Sequence, residues 1–167
     1  MAEKRPICLY GGQRRELAAG DTLPGGPAFI ARSSDTTQSI SQNVITKLVA
    51  ALATTVLDTH NAWSAGTFTV PAGWAGLYQV NAMVTLNYCV DQAGIFVDVY
   101  KNNALAQRVM AGRQSGNTTW GGGGTCLLVL AAGDTVDMRV NQTSPATTTY
   151  PFAGLTAFSG AFLRGTP

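Results

Sequence analysis

FTVPAGWAGLYQVNAMVTLNY, residues 68–88, decides the fold. Tyr78, Val80, Ala82, Val84 and Leu86 fall on one side of an extended chain. Gln79, Asn81, Thr85 and Asn87 fall on the other, with Leu77 and Met83 as apolar exceptions. A repeat of two marks a strand with one face buried and one face wet. Antiparallel sheets carry such strands, whereas parallel sheets usually bury both faces. The stretch therefore points to an all-β protein.

The same pattern extends along the chain. In GIFVDVYKNNA, Ile95, Val97 and Val99 share one face and Phe96, Asp98 and Tyr100 the other, before a turn at Asn102 and Asn103, residues that tolerate left-handed backbone angles. TCLLVLAAGDTVDMRVNQT reads as two strands joined by Ala132, Gly133 and Asp134 in a tight hairpin turn, the second placing Val136, Met138 and Val140 against Thr135, Asp137, Arg139 and Asn141. LTAFSGAFL sets Phe158 and Phe162 on one face with Gly160 between them. Short strands separated by turn signals predict a sandwich or barrel. NVITKLVAALATTVLDTHNAW fits both a helix, through its alanines and apolar spacing, and a strand, through its Val, Ile and Thr; its surroundings favour strands.

At 167 residues the chain fits one domain with a short appendage. Charged residues make up 12%, about half the usual share, and the net charge is +2. Such a surface suits packing against protein or glycan and gives no field for nucleic acid. The basic residues near the start, Lys4, Arg5, Arg14 and Arg15, are too sparse for a nucleic-acid tail. No apolar h-region and no run of roughly 20 apolar residues is present, so neither a signal peptide nor membrane insertion is expected. Cys8, Cys89 and Cys126 lack metal-ligand spacing and read as small buried or half-buried thiols made in a reducing cytosol. Residues 1–35 carry the turn signals of an extended arm, with at most a small hairpin of ICLY against RELAA; residues 36–167 form the domain.

Four segments in order resemble the C1q globular-head family of the C1q/TNF jelly rolls. Phe68, Pro71, Gly76 and Tyr78 fill its first motif, with a longer gap; Lys101 and Asn102 fill the second, with Asn103 in place of Gly. Leu130, Gly133, Asp134 and Val136 fill the third, and Phe158, Ser159, Gly160 and Leu163 the fourth. The resemblance, over residues 36–164, implies a trimeric jelly-roll β-sandwich in which QNVITKL is the first strand. It makes Tyr78, Phe158 and Phe162 candidates for trimer-interface or core packing. Secreted C1q-like heads usually follow a signal peptide and a collagen stalk, and neither pattern occurs in the sequence. The family also resembles small virion proteins of tailed bacteriophages. Gly12, Glu16, Leu17, Gly20, Asp21 and Leu23 match a lead-in common in phage fibre and virion proteins. On that resemblance Ile7, Leu9, Tyr10, Leu17 and Leu23 are expected to anchor the arm to a major capsid or tail protein, in a virion assembled in bacterial cytoplasm.

No chemistry is expected, and no cofactor. The single His60 lies two residues from Asp58 without a geometry set for proton transfer, and reads as a turn residue. Acidic residues at calcium-ligand spacing are lacking, so no metal is expected. A hydrolase of surface polysaccharide would need an acid/base pair that the sequence does not supply. Residues 112–126, GRQSGNTTWGGGGTC, lack the Lys-Ser/Thr ending of a phosphate-binding loop and read as a mobile loop between strands. Such a loop offers Asn117, Thr119 and Trp120 as possible contacts for a host surface glycan, with Tyr150 on a second loop. The two glycosylation acceptors, at Asn117 and Asn141, matter only on a secretory route. The sequence thus predicts a trimeric virion knob decorating a capsid or seated on a tail, or alternatively a receptor- or glycan-binding fibre tip.

Overall fold

The computed structural model describes residues 25–34, 36–87, 89–116, 118–145 and 154–165, together with the backbone of Ile7–Tyr10, Gln13–Glu16, Tyr88 and Thr147–Thr149. The first two strands, β1 (Ile7–Tyr10) and β2 (Gln13–Glu16), pair with each other, Tyr10 opposite Gln13. Short strands follow: β3 (Ala28–Arg32), β4 (Ser39–Ile40), β5 (Thr46–Lys47), β6 (Thr54–Asp58), β7 (Trp63–Ser64) and β8 (Thr67–Thr69). The long strands are β9 (Gly76–Cys89), β10 (Gly94–Lys101), β11 (Ala104–Arg113), β12 (Thr118–Leu130) and β13 (Thr135–Gln142). Two more, β14 (Thr147–Thr149) and β15 (Ala157–Gly165), complete the chain.

Strands β3 to β15 form two antiparallel sheets packed face to face. In the larger sheet β9 pairs along one edge with β12 and along the other with β15 and β14; β3 and β6 follow β15, and β4 follows β14. The smaller sheet runs β11-β10-β13-β8-β7, with β5 also on β13. The alternations read from the sequence hold in both. Tyr78, Val80, Ala82, Val84 and Leu86 face inward from β9 and meet Ile95, Val97, Val99, Val136, Met138 and Val140 in one core. At one end the core is aromatic. Phe29 stacks on Trp63 at 5.0 Å and Phe68 at 4.6 Å, and Tyr78 meets Phe162 at 5.4 Å. Gly160 sits under Phe29, whose ring stands 2.7 Å from where a Cβ would project.

Four expectations are corrected. β3 lies within the segment 1–35, yet it is paired to β15 and β6 and contributes Phe29 and Ala31 to the core, so the sandwich already includes residues 28–32. The ambiguous stretch forms neither a long helix nor a long strand. It contributes β5, a single 3-10 turn at Ala50–Leu52, and β6. Gln38 is one cause: its amide accepts the N–H groups of Val49 and Ala51 and donates to the Lys47 carbonyl, taking over bonds that a regular element would make. The other is burial of Leu48, Ala51 and Leu52 in the core. Third, β12 and β13, read as one hairpin, belong to different sheets. The turn between them is nonetheless tight: Asp134 accepts from Ala131 N at 2.7 Å and meets Lys101 at 2.8 Å. Burial opposes ionisation of Asp134, but hydrogen bonds from Lys101, Asn102 and the Ala131 amide outweigh it and bring the pKa down to about 2. Last, the hairpin partner of ICLY is QRRE rather than RELAA. The turn at Asn102 and Asn103 does take positive φ at both residues, 50° and 65°, as a two-residue hairpin requires.

The Tyr78 hydroxyl donates to the Trp74 carbonyl at 2.7 Å, and burial pushes its pKa up to about 12 from 10.0. A phenol kept neutral by the fold contributes stability that is complete below the unfolded value and is lost as pH rises between the two. Chemical denaturation of Tyr78→Phe is expected to show a loss of about 1 kcal/mol at neutral pH and a shallower decline above pH 10 than the parent chain.

Candidate functional site

The two sheets expose unlike outer faces. The smaller sheet carries Lys47, Asp98, Lys101, Arg108, Arg113, Asp137 and Arg139. Five of these form a ladder. Arg108 grips the buried Asp98 through two bonds of 2.8 and 3.0 Å and lies over the Phe96 ring. Arg139 grips Asp137 at 2.6 and 3.1 Å, lies over Tyr100, and stands opposite Asp98 in the register, with Lys47 on the far side at 4.0 Å from Asp137. The hydrogen bonds to Asp98 and Asp137 hold both guanidiniums above their ordinary pKa. This face is closed by its own ion pairs and suits water.

The larger sheet carries charge only at Arg32, Asp58 and Arg164, each at or next to a strand end. Its outward residues are apolar or neutral. Leu127 and Val129 on β12 are each 60% exposed, Met83 on β9 is 42%, and Ile30 and Leu57 stand side by side on β3 and β6 at 37% and 40%. A polar stripe crosses the middle. Asn81 faces Thr125 on one side and Ser159 on the other. Its Oδ1 accepts from the Thr125 hydroxyl at 2.7 Å, and its Nδ2 donates to Ser159 Oγ at 3.3 Å. Beside the stripe the face dips into a groove of about 530 Å³ lined by Asn81, Met83, Thr85, Ala157, Ser159 and the glycine tract 121–124.

That tract is the edge of the sheet, paired to β9 through Gly121 opposite Thr85 and Gly124 opposite Ala82. Its composition follows from close approach. A Cβ on Gly124 would strike the carbonyl oxygen of Val109 on β11, where the two sheets meet, and one on Gly122 would stand 2.6 Å from the Trp120 ring. The mobile loop expected over 112–126 is thereby corrected, since most of it is strand. Trp120, expected as an exposed glycan contact, is 8% exposed and packs into the core, because its position on β12 points inward opposite Leu86. Thr119 is exposed beside it; Asn117 and Tyr150 lie outside the described residues.

The remaining expected site residues divide. Tyr78 and Phe158 are fully buried within a single chain, which leaves no surface of either for a neighbouring copy; their role is core. Phe162 is partly buried and meets Trp74 edge-on at 5.1 Å. Of the arm residues, Ile7, Leu9 and Tyr10 fall on β1, where only the backbone is described, and Leu17 and Leu23 lie outside the described residues. Cys89 is buried and Cys126 half-buried, where burial raises its pKa. His60 sits in a turn with Nδ1 2.8 Å from Thr59 Oγ1. Asp58 accepts the backbone N–H groups of Ala62 and Trp63, each at 2.9 Å, and of His60 at 3.4 Å, while the His60 ring meets Thr59, so among the described residues no His–Asp relay forms. Among the described residues no cluster of His, Cys, Asp or Glu is placed to hold a metal ion, and no helix is long and apolar enough to cross a membrane.

No family model matches the chain, and no curated protein matches it in sequence. Solved structures do match. The globular domain of zebrafish complement 1qA aligns with a TM-score of 0.57 at 13% identity, over 84% of this chain and 99% of that one. Eiger TNF from S. frugiperda aligns at 0.61 and 11%, over 86% and 96%. PRD1 vertex protein P5 aligns at 0.59 and 19%, over 84% and 99%. The fold is thus the C1q/TNF-like jelly roll, as the four motifs implied. At these identities the likeness speaks for the fold alone.

The edge tract gives a direct test of its packing. Gly124→Ala is expected to lower unfolding stability by about 1–3 kcal/mol through overpacking against Val109. Gly25→Ala, where nothing stands within 4 Å, is expected to stay within about 0.5 kcal/mol in the same denaturant titration.

Proposed function

We propose that this chain is a structural, non-catalytic bacteriophage virion protein. In this reading three copies associate through the uncharged face of the larger sheet into a knob, and the segment before residue 25 anchors the knob to a capsid or tail protein. The observation that carries the reading is the asymmetry of the two outer faces. An ion-paired ladder is well placed in water, whereas an uncharged face with five large apolar side chains exposed is the mark of a surface meant to be covered. The jelly-roll fold shared with a vertex protein of phage PRD1 supports the virion setting. The arm is supported by β1 and β2, which among the described residues pair with each other and with no strand of the sandwich. Three arms on one trimer would bind a particle with an avidity that none has alone. The alternative, a glycan-binding tip, loses one of its two expected aromatic contacts with Trp120 in the core.

Sedimentation equilibrium tests the assembly. The parent chain is expected to run as a trimer, and Leu127→Lys/Val129→Lys as a folded monomer, because two ammonium groups in an apolar contact cannot be desolvated cheaply. A parent monomer at tens of micromolar, or an unchanged trimer in the double variant, overturns it. Deleting residues 1–24 is expected to leave a folded trimer that no longer co-sediments with particles. Retained decoration by the truncated chain removes the arm from the account.

A further inference from the structure

We infer that Asn81 fixes the register in which copies of this chain associate, an inference that rests on the homotrimer reading. The residue stands at the centre of the uncharged face, with apolar Leu77 and Met83 in the same outward row and Leu127 and Val129 on the neighbouring strand. A carboxamide offers two N–H donors and an oxygen with two lone pairs. The oxygen of Asn81 is filled, by Thr125 Oγ1 at 2.7 Å and by Gln79 Nε2 at a longer 3.4 Å. Its nitrogen donates once, to Ser159 Oγ at 3.3 Å. Among the described residues one N–H is unspent, as are the Ser159 hydroxyl hydrogen and the Gln79 carbonyl oxygen. These groups stand on and beside the wall of the groove over the glycine tract.

Whatever covers this face covers an amide with a donor left over. An occupant carrying charge would meet no counter-charge there, so the face selects an uncharged surface, and the chain itself carries one. The fitting occupant is a second copy. The apolar side chains around Asn81 attract in any orientation, because burial of hydrocarbon is not directional. The amide does discriminate. An arrangement that leaves its N–H buried and unmet is disfavoured by roughly tenfold or more against one that meets it. A single polar residue in an apolar contact surface thus selects one geometry at some expense in affinity, as a buried Asn does in coiled coils.

The test replaces the amide by hydrocarbon of similar volume. Native mass spectrometry and sedimentation velocity of Asn81→Leu are expected to show self-association at the same or lower concentration than the parent, spread over at least two stoichiometries instead of a single trimer. Thr125→Val, which removes the donor to Asn81 Oδ1 and keeps the β-branched shape, is expected to broaden the distribution in the same direction and less. It also keeps the test alive if Asn81→Leu fails to fold, as judged by circular dichroism. A sharp trimer in both variants, or a monomer on Asn81→Leu with folding intact, overturns the register role while leaving the trimer standing. A monomeric parent chain overturns the trimer itself.

Discussion

Everything in the sandwich hangs on β9. It is the strand to which β12, β15 and β14 are all bonded, and its inward row from Tyr78 to Leu86 forms one wall of the core. Because successive side chains point to opposite faces, the same fourteen residues also place Leu77, Gln79, Asn81, Met83 and Thr85 on the outside. Core and candidate assembly surface are therefore two sides of one strand. A slip of one residue in its pairing would exchange them.

The glycine tract shows how packing and surface are linked on the neighbouring strand. Its inward glycines exist because β11 and the Trp120 ring come too close for side chains. Its outward glycines, on the same strand, leave the groove beside Asn81. Composition that serves the meeting of two sheets thus also shapes the face proposed for self-association. Nothing about four glycines in a row reveals this without the neighbours.

The distribution of charge follows the sheets. Asp98 and Asp137 are nearly buried, yet each is held by a planar guanidinium that itself lies on an aromatic ring. Such pairs are well satisfied within the chain and leave little free field for a partner. Among its described residues the larger sheet has no comparable ion-paired network, and the polar stripe across its middle is neutral. That contrast is why the larger sheet is the one proposed as the inside of an assembly.

Periodicity in β9, β10 and β13 and the turn chemistry at Asn102, Asn103 and Gly133 made an all-β sandwich or barrel legible, and the resemblance of four ordered motifs to the C1q family narrowed it to the jelly roll. Periodicity and turns are local signals, and local sterics suffice to write them. The site was less legible. Trp120 looked like the tip of a polar loop because glycine usually breaks strands, and only pairing with β9 turned the tract into an edge strand with the indole inside. The stretch around Val49 depended on Gln38, eleven residues away, and β3 was hidden in the supposed arm because five residues carry too weak an alternation. What the sequence determined by itself is the all-β class and which side chains of each long strand face together, since both follow from the two-residue repeat. Which of two sheets each strand joins, and so which face gathers the charges and which stays bare, was decided by tertiary structure, because pairing between distant strands is set by how their buried rows fit.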